Sequence, residues 1–248
     1  MIGVNNMKKT IISIVTLTCI LGLLSGCSST NNDDRLSIET SIEETTENNT
    51  KKMDYKTEKN IYNEDDIKIE YPQILNDSNN EKIKTINDLI KEEAILVHYD
   101  TINHLEKNQT YEVDGEYDIK LNSKGILSIA YTSFNNISPS AHPYNMFYTT
   151  NINMNTGKEI SLSDLVPNID DNFIYNLKNG DYVGTIDPIY TTQLFQEVFS
   201  YYKDDKELIN TLKTIPFYLT EENLGISLPV SHTFGDYANI EIPLEKIK

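Results

Sequence analysis

Histidine and cysteine are the side chains in this sequence that most often bind metals or act in catalysis. His98 and His104 stand six residues apart in a segment with helical periodicity. That spacing puts them on different faces of the predicted helix, unlike the i, i+4 pair of a zinc-binding helix. Of the two cysteines, Cys19 lies in what reads as an export signal, and Cys27 directly follows that signal. The sequence therefore predicts neither a metal site nor a cofactor.

Recognisable catalytic signatures are missing from the sequence. It has no Gly-x-Ser-x-Gly elbow to expose a nucleophile and no glycine-rich loop to bind phosphate. Its acidic runs, such as residues 64–66 and 170–171, lack the spacing of a calcium-binding loop. We therefore predict that the protein is not an enzyme. A cell-wall hydrolase that uses two carboxylates from distant strands is the alternative left open.

The sequence that precedes Cys27 suggests that this residue is a site of lipid attachment. Lys8 and Lys9 precede an apolar run over residues 11–24, which is shorter than a membrane-spanning helix requires. The run ends in Leu-Ser-Gly-Cys, which resembles a bacterial lipobox. Residues 1–26 are thus predicted to be a lipoprotein signal peptide, with Met7 as an alternative initiator to Met1. Cys27 would carry the lipid that anchors the protein at the outer face of the bacterial cell membrane; an ordinary cleaved signal or an uncleaved anchor is the alternative.

The composition changes after the signal. Residues 27–60 are rich in Ser, Thr, Asn, Asp, Glu and Lys and nearly free of apolar side chains, so we predict a disordered tether. The whole chain has a formal charge of -17, which excludes nucleic acid as a partner because binding phosphate requires Lys and Arg. An acidic surface could attract cationic partners, or it could simply keep the protein soluble.

A polar loop flanked by aromatic residues is the best candidate for a binding surface. Loops on a rigid scaffold often carry function, and aromatic side chains often anchor interfaces. The alternatives are that the aromatic residues alternate into the core and that the loop histidine bonds only to nearby backbone. The candidate binding residues are Tyr131, Phe134, His142, Pro143 and Tyr144.

The elements that must position this loop follow from periodicity. Residues 67–71 alternate as a strand, and Ser78 with Glu81 forms a predicted capping box for a helix that runs to about Glu106, with a break near His98. Several strands follow, then helical segments over residues 187–212, then two more strands. We predict an α+β fold in which helices pack on a largely antiparallel sheet. Its ordered region spans residues 61–248, with a first part over about 61–135 and a second over about 136–248.

The ordered region also resembles a known pair of extracytoplasmic domains of unknown function. The specific motifs are Ala141-His142-Pro143, Thr156-Gly157-Lys158 and Asp164-Leu165. They are accompanied by the strand at 67–72, the strand at 127–131, the segment at 149–153 and the C-terminal blocks at 225–226 and 235–238. This domain pair is shared by RsiV-type anti-sigma factors, which bind lysozyme, and by the accessory region of PdaC-type peptidoglycan deacetylases.

The resemblance implies a binding role at the cell envelope, with lysozyme or a cell-wall component as the ligand. An accessory or structural lipoprotein that acts through a protein partner is the alternative. Anti-sigma signalling and deacetylation are not expected, because neither a sigma-binding segment nor a deacetylase domain is recognisable in the sequence. Ser140 stands where the family usually has glycine, so the loop geometry is expected to differ.

Overall fold

A computed structural model describes residues 55–76, 79–139, 142–184 and 191–247. A six-stranded sheet occupies the first part, in the order β1-β2-β3-β4-β5-β6. All neighbouring strands run antiparallel except β2 and β3, which are parallel because a helix connects them. The strands are β1 (Thr57–Glu64), β2 (Ile67–Ile74), β3 (Thr110–Ser123), β4 (Ile126–Ser138), β5 (Tyr144–Asn153) and β6 (Lys158–Glu159).

Helix α1 (Glu81–His104) packs on one face of this sheet. Its N-cap is Asn80, whose side chain accepts a hydrogen bond from the Lys82 N–H. The prediction that Ser78 is the N-cap of a capping box with Glu81 is therefore wrong. Ser78 itself lies outside the described residues. The predicted break near His98 is also wrong. The His98 ring is fully buried, and its nitrogens lie 2.9 Å from the Tyr111 hydroxyl and 3.3 Å from the Tyr148 hydroxyl.

A second, four-stranded antiparallel sheet follows in the chain, with β7 (Asp181–Val183), β8 (Phe217–Leu219), β9 (Asn223–Pro229) and β10 (Tyr237–Pro243) in the order β7-β10-β9-β8. The α-helices of this part are α2 (Leu162–Leu165), α3 (Asp171–Lys178), α4 (Thr191–Ser200) and α5 (Asp205–Leu212), and two 3₁₀ helices span His232–Phe234 and Leu244–Lys246. Asp204 caps α5 by accepting hydrogen bonds from the N–H groups of Lys206 and Glu207. The predicted α+β class with a largely antiparallel sheet is confirmed.

Each sheet has its own apolar core. The first lies between α1 and the inner face of the six-stranded sheet, where Ile86, Ile90, Ile129 and Ile152 are fully buried. The second lies between the four-stranded sheet and its helices, around Leu177, Leu194, Leu212, Ile226 and Ile240.

The second sheet covers only part of the outer face of the first, the face opposite α1. Ser128 on β4 connects them, since its hydroxyl accepts from the Leu219 N–H at 2.9 Å and donates to Asn151 Oδ1 at 2.7 Å. Asn151 Nδ2 in turn donates to the Phe217 carbonyl at 2.7 Å. Further along β4, Thr132 and Phe134 on the same face are exposed. The outer face around these two residues is therefore open to solvent.

The structure moves two boundaries that the sequence suggested. Residue 60 falls inside β1, where Asn60 pairs with Tyr71, so order begins before the predicted end of the tether. The division near residue 135 falls inside β4, and all described residues belong to one compact unit. The signal peptide, Cys27 and the rest of the tether lie outside the described residues. Within the described ranges, no helix is long and apolar enough to cross a membrane.

Candidate functional site on the outer sheet face

A row of carboxylates runs along the open part of the outer face. Glu112, Asp114, Glu116 and Asp118 occupy every second position of β3, and all four are exposed. The residues between them point inward, and Tyr111 and Val113 belong to the first core. Successive residues on one face of a strand are about 7 Å apart. The alternation of β3 therefore presents four acids as one regularly spaced row, called the acidic row below.

Phe134 lies beside the middle of the acidic row. It is Cα partner to Asp114 on β3 and to Asn145 on β5, and its side chain is 46% exposed. Its diagonal neighbours across β3 are Glu112 and Glu116, which pair with Asn136 and Thr132. An exposed aromatic ring is thus flanked by three carboxylates, an arrangement that suits an apolar side chain surrounded by cations.

Two lysines neutralise part of the acidic row. Lys68 Nζ lies 3.1 Å from Asp114 Oδ1, and this hydrogen bond raises the pKa of Lys68. Lys120 Nζ lies 2.6 Å from Asp118 Oδ2. In the part of the chain that the structure describes, no cation lies within ion-pair distance of Glu112 or Glu116. The row therefore keeps a net charge of -2, four carboxylates less two lysines.

The five binding residues predicted from the sequence do not form one surface. Tyr131 is fully buried and stacks on Tyr148 with ring centroids 4.9 Å apart, so the alternative that it is a core residue is the one the structure supports. Tyr144 has the same strand parity as Tyr148, which belongs to the first core, so it faces the α1 side. Phe134 points to the opposite face.

His142 and Pro143 lie just before β5, next to the connection between β9 and β10. The exposed His142 ring is 6.2 Å from the ring of His232, whose Nδ1 lies 2.9 Å from Asp236 Oδ1. Asp236 Oδ2 accepts hydrogen bonds from the backbone N–H of Asn145 at 2.8 Å and from its side-chain amide at 3.1 Å. Since Asn145 is the partner of Phe134, the loop adjoins one corner of the outer face. Among the described residues, no three His, Cys, Asp or Glu side chains are grouped to hold a metal ion.

The acidic row was missed by sequence reasoning, although a signal for it was present. Residues 110–118 read Thr-Tyr-Glu-Val-Asp-Gly-Glu-Tyr-Asp, in which acids occupy every second position. In a strand with one buried face, that pattern places all the acids on the other face. His232 and Asp236 were missed because only the fold brings them to the loop.

Comparisons with known proteins identify structural neighbours but no relative by sequence. No protein-family model and no curated protein matches the sequence. A DUF3298 family member from Bacteroides fragilis is similar in structure, with 14% identity and a TM-score of 0.43, over 77% of this chain and 91% of that one. A DUF3298 family protein from Pseudomonas aeruginosa is similar with 12% identity and a TM-score of 0.40, over 77% of this chain and 92% of that one.

Proposed function

We propose that the protein is a lipid-anchored binding protein at the outer face of the bacterial cell membrane, and that its open outer sheet face recognises a basic protein of the lysozyme type. The observation that carries the proposal is Phe134, an exposed ring flanked by the acidic row. The lipobox-like sequence ending in Cys27 and the resemblance of the ordered region to lysozyme-binding domains support the location and the partner.

Charge and aromatic contact would contribute to different steps of binding. Carboxylates on an exposed face attract a cationic protein over several ångströms and raise its rate of association, an effect that salt weakens. Glu112 and Glu116 are free to meet Lys or Arg of the partner because no cation of the described residues pairs with them. Burial of the Phe134 ring under the partner would slow dissociation.

The test is a titration of residues 28–248, which include every described residue, with hen-type lysozyme at low and at physiological salt. Phe134→Ala should weaken binding by about tenfold or more, as expected for an aromatic residue near the centre of an interface. The matched control is Tyr175→Ala, which removes a ring that is 66% exposed on α3, in another part of the chain.

The charge contribution is tested by the double variant Glu112→Gln, Glu116→Gln. It should slow association several-fold at low salt, and much less at physiological salt. The control pair Glu92→Gln, Glu106→Gln removes the same charge from exposed positions elsewhere. Absence of binding at both salts, or equal affinity of Phe134→Ala and Tyr175→Ala, would reject the lysozyme-type partner on this face.

A further inference from the structure

Strand β5 has a side that lacks a continuous partner strand. Strand β6 pairs only with Ile152 and Asn153, and the Ile160 N–H then donates to the Asn151 carbonyl at 2.8 Å. At the other end, Asp236 accepts a hydrogen bond from the Asn145 N–H. Between these two contacts, no strand of the described residues pairs with β5 on this side. The unpaired stretch, residues 147–149, is called the open edge below.

The direction of the backbone groups at the open edge follows from the alternation of the strand. The Met154 N–H donates to the Gly125 carbonyl, and the Tyr144 carbonyl accepts from Asn135 Nδ2, so even-numbered residues turn their backbone groups toward β4. Odd-numbered Asn145 and Asn151 bond on the other side. The N–H and C=O groups of Phe147 and Thr149 therefore also point away from β4, toward the open edge.

A cavity of about 370 Å³ adjoins the Thr149 end of this edge. Thr149 and Asn151 of β5 form one wall, and the segments around Glu159 and Lys213 form others. This volume is near the lower end of the range of small-ligand sites, roughly 300 to 1,000 Å³. The cavity therefore has room for a small ligand that can bond to strand backbone.

The cavity walls carry two acidic side chains, Glu159 and Asp164, and one basic side chain, Lys213. Neither Glu159 nor Lys213 has an ion-pair partner within 4.0 Å among the described residues, and Lys213 Nζ donates only to Asn210 Oδ1. Burial raises the pKa of Glu159, so its carboxylate would gain from a cation. Asp164, also in the lining, is already engaged, since its Oδ2 accepts from the N–H and the hydroxyl of Ser161. These bonds lower its pKa.

We propose that this cavity is a second binding site, separate from the outer-face site, and that it takes a short extended peptide with a free amino group and a free carboxylate. The peptide would add to the open edge by hydrogen bonds to the backbone of Phe147 and Thr149, as an extra strand does. Its ammonium would meet Glu159, and its carboxylate would meet Lys213.

The two ends of the edge limit the length of the ligand. The Asp236–Asn145 contact closes one end and the turn into β6 closes the other. From residue 147 to residue 149 the strand advances only about 7 Å, the span of two residues. A long strand of another protein would meet these stops, whereas a di- or tripeptide fits between them. A sugar would use the charged walls less well, because neutral hydroxyl groups leave Glu159 and Lys213 unpaired.

The probe for this site is trialanine with free ends, titrated into residues 28–248 and followed by amide NMR. Saturable shifts should centre on Phe147 and Thr149, and amide exchange at both should slow by about tenfold at saturation because the open backbone becomes bonded. Trialanine with an acetylated N-terminus and an amidated C-terminus should bind at least about fivefold more weakly, since it lacks both charges.

Substitutions test which side chains contribute to trialanine binding. Glu159→Gln and Lys213→Gln should each weaken trialanine binding several-fold, while the controls Glu92→Gln and Lys203→Gln bind like the unchanged protein. Thr149→Pro removes a backbone donor and should abolish binding; if it fails to fold, the two charge variants decide. The proposal is overturned by absence of saturable shifts up to about 10 mM, by equal binding of the capped peptide, or by shifts centred elsewhere. Lysozyme binding by Glu159→Gln should be unchanged, which separates this site from the outer face.

Discussion

Strand β4 carries two aromatic residues, Tyr131 and Phe134, on opposite faces of the six-stranded sheet. Tyr131 is fully buried under α1 and stacks on Tyr148, whereas Phe134 is 46% exposed beside Asp114. The same strand thus places one ring where it stabilises the fold and another where it can meet a partner. The difference arises because α1 and the inner face of the sheet bury Tyr131 in the first core, while the second sheet leaves the outer face at Phe134 uncovered.

The hydrogen bonding of polar groups also differs between the two faces. On the inner face several polar side chains are hydrogen-bonded within the protein. The Tyr111 hydroxyl donates to Asn135 Oδ1 at 2.8 Å, and the Tyr148 hydroxyl donates to the Ala94 carbonyl at 2.9 Å. On the outer face Glu112 and Glu116 are exposed to water. Inner polar groups should therefore affect stability, and outer ones should affect binding.

The largest expected effect compares aromatic truncations on the two faces. Tyr131→Ala leaves a cavity in the first core and should lower the free energy of unfolding by about 3 to 5 kcal/mol. Phe134→Ala should lower it by less than about 1 kcal/mol, because much of that ring is in water in the folded state. Urea unfolding of the two variants measures both values. Equal losses would show that the two faces contribute alike to stability.

The next effect is a pH dependence that comes from the inner face alone. Burial lowers the pKa of His98 from 6.5 to about 4, so between these values the unfolded chain binds a proton that the folded chain does not. Stability from this residue is complete above pH 6.5, falls as the pH drops toward 4, and then levels off. Its loss between pH 7.5 and 4.5 should be about 2 to 3 kcal/mol.

The measurement is the free energy of urea unfolding at both pH values for the unchanged protein and for His98→Gln. The carboxylates contribute equally to both proteins, so the difference between them isolates the histidine. If His98→Gln loses as much stability on acidification as the unchanged protein, His98 is not the cause.

These two faces also show what the sequence could and could not predict. The long helix could be predicted because Ile83, Ile86 and Ile90 recur at helical spacing. Together with the alternating strand patterns, that helix indicated the α+β class. The binding residues were not separable from the core, because Tyr131 and Phe134 are both aromatic and occur in one strand. Their three-residue spacing would have indicated opposite faces of a strand, but only the second sheet, which residues 217–243 contribute to, decides how much of the outer face stays open.

Other features depend on contacts between distant parts of the chain. His232 and Asp236 reach the loop at His142 from about 90 residues away, and no local pattern indicates that distance. The break expected near His98 does not occur, and α1 continues to His104. The buried partners of the His98 ring are Tyr111 on β3 and Tyr148 on β5. Helical periodicity considers only residues within the helix, so it could not indicate these partners.

A smaller effect concerns the two stacked rings of the inner face. Tyr148→Phe loses the hydrogen bond to the Ala94 carbonyl and the contact with His98, so it should cost about 1 kcal/mol. Tyr131→Phe should change stability by less than about 0.5 kcal/mol, since the Tyr131 hydroxyl has no hydrogen-bond partner among the described residues. Urea unfolding of both variants provides the comparison. A loss in Tyr131→Phe as large as in Tyr148→Phe would indicate a hydrogen bond at the Tyr131 hydroxyl, either to the neighbouring Thr150 or to a bound water.

The smallest expected effect belongs to the outer face and has the opposite sign. Like charges that neighbour each other on one face of a strand repel, and the folded state holds Glu112 and Glu116 in the same row as Asp114. The double variant Glu112→Gln, Glu116→Gln should therefore raise the free energy of unfolding by a few tenths of a kcal/mol at low salt. The gain should disappear near 1 M salt, where the screening length falls to about 3 Å.

The control pair Glu92→Gln, Glu106→Gln removes equal charge from outside the acidic row and should give a smaller gain. If the row variant instead loses stability, its carboxylates make stabilising contacts and the row is part of the folding energy. A gain in stability combined with slower association of lysozyme would mean that the row opposes folding while it favours binding. That combination is what a surface kept for a partner predicts, and it is the reverse of what the inner face should show.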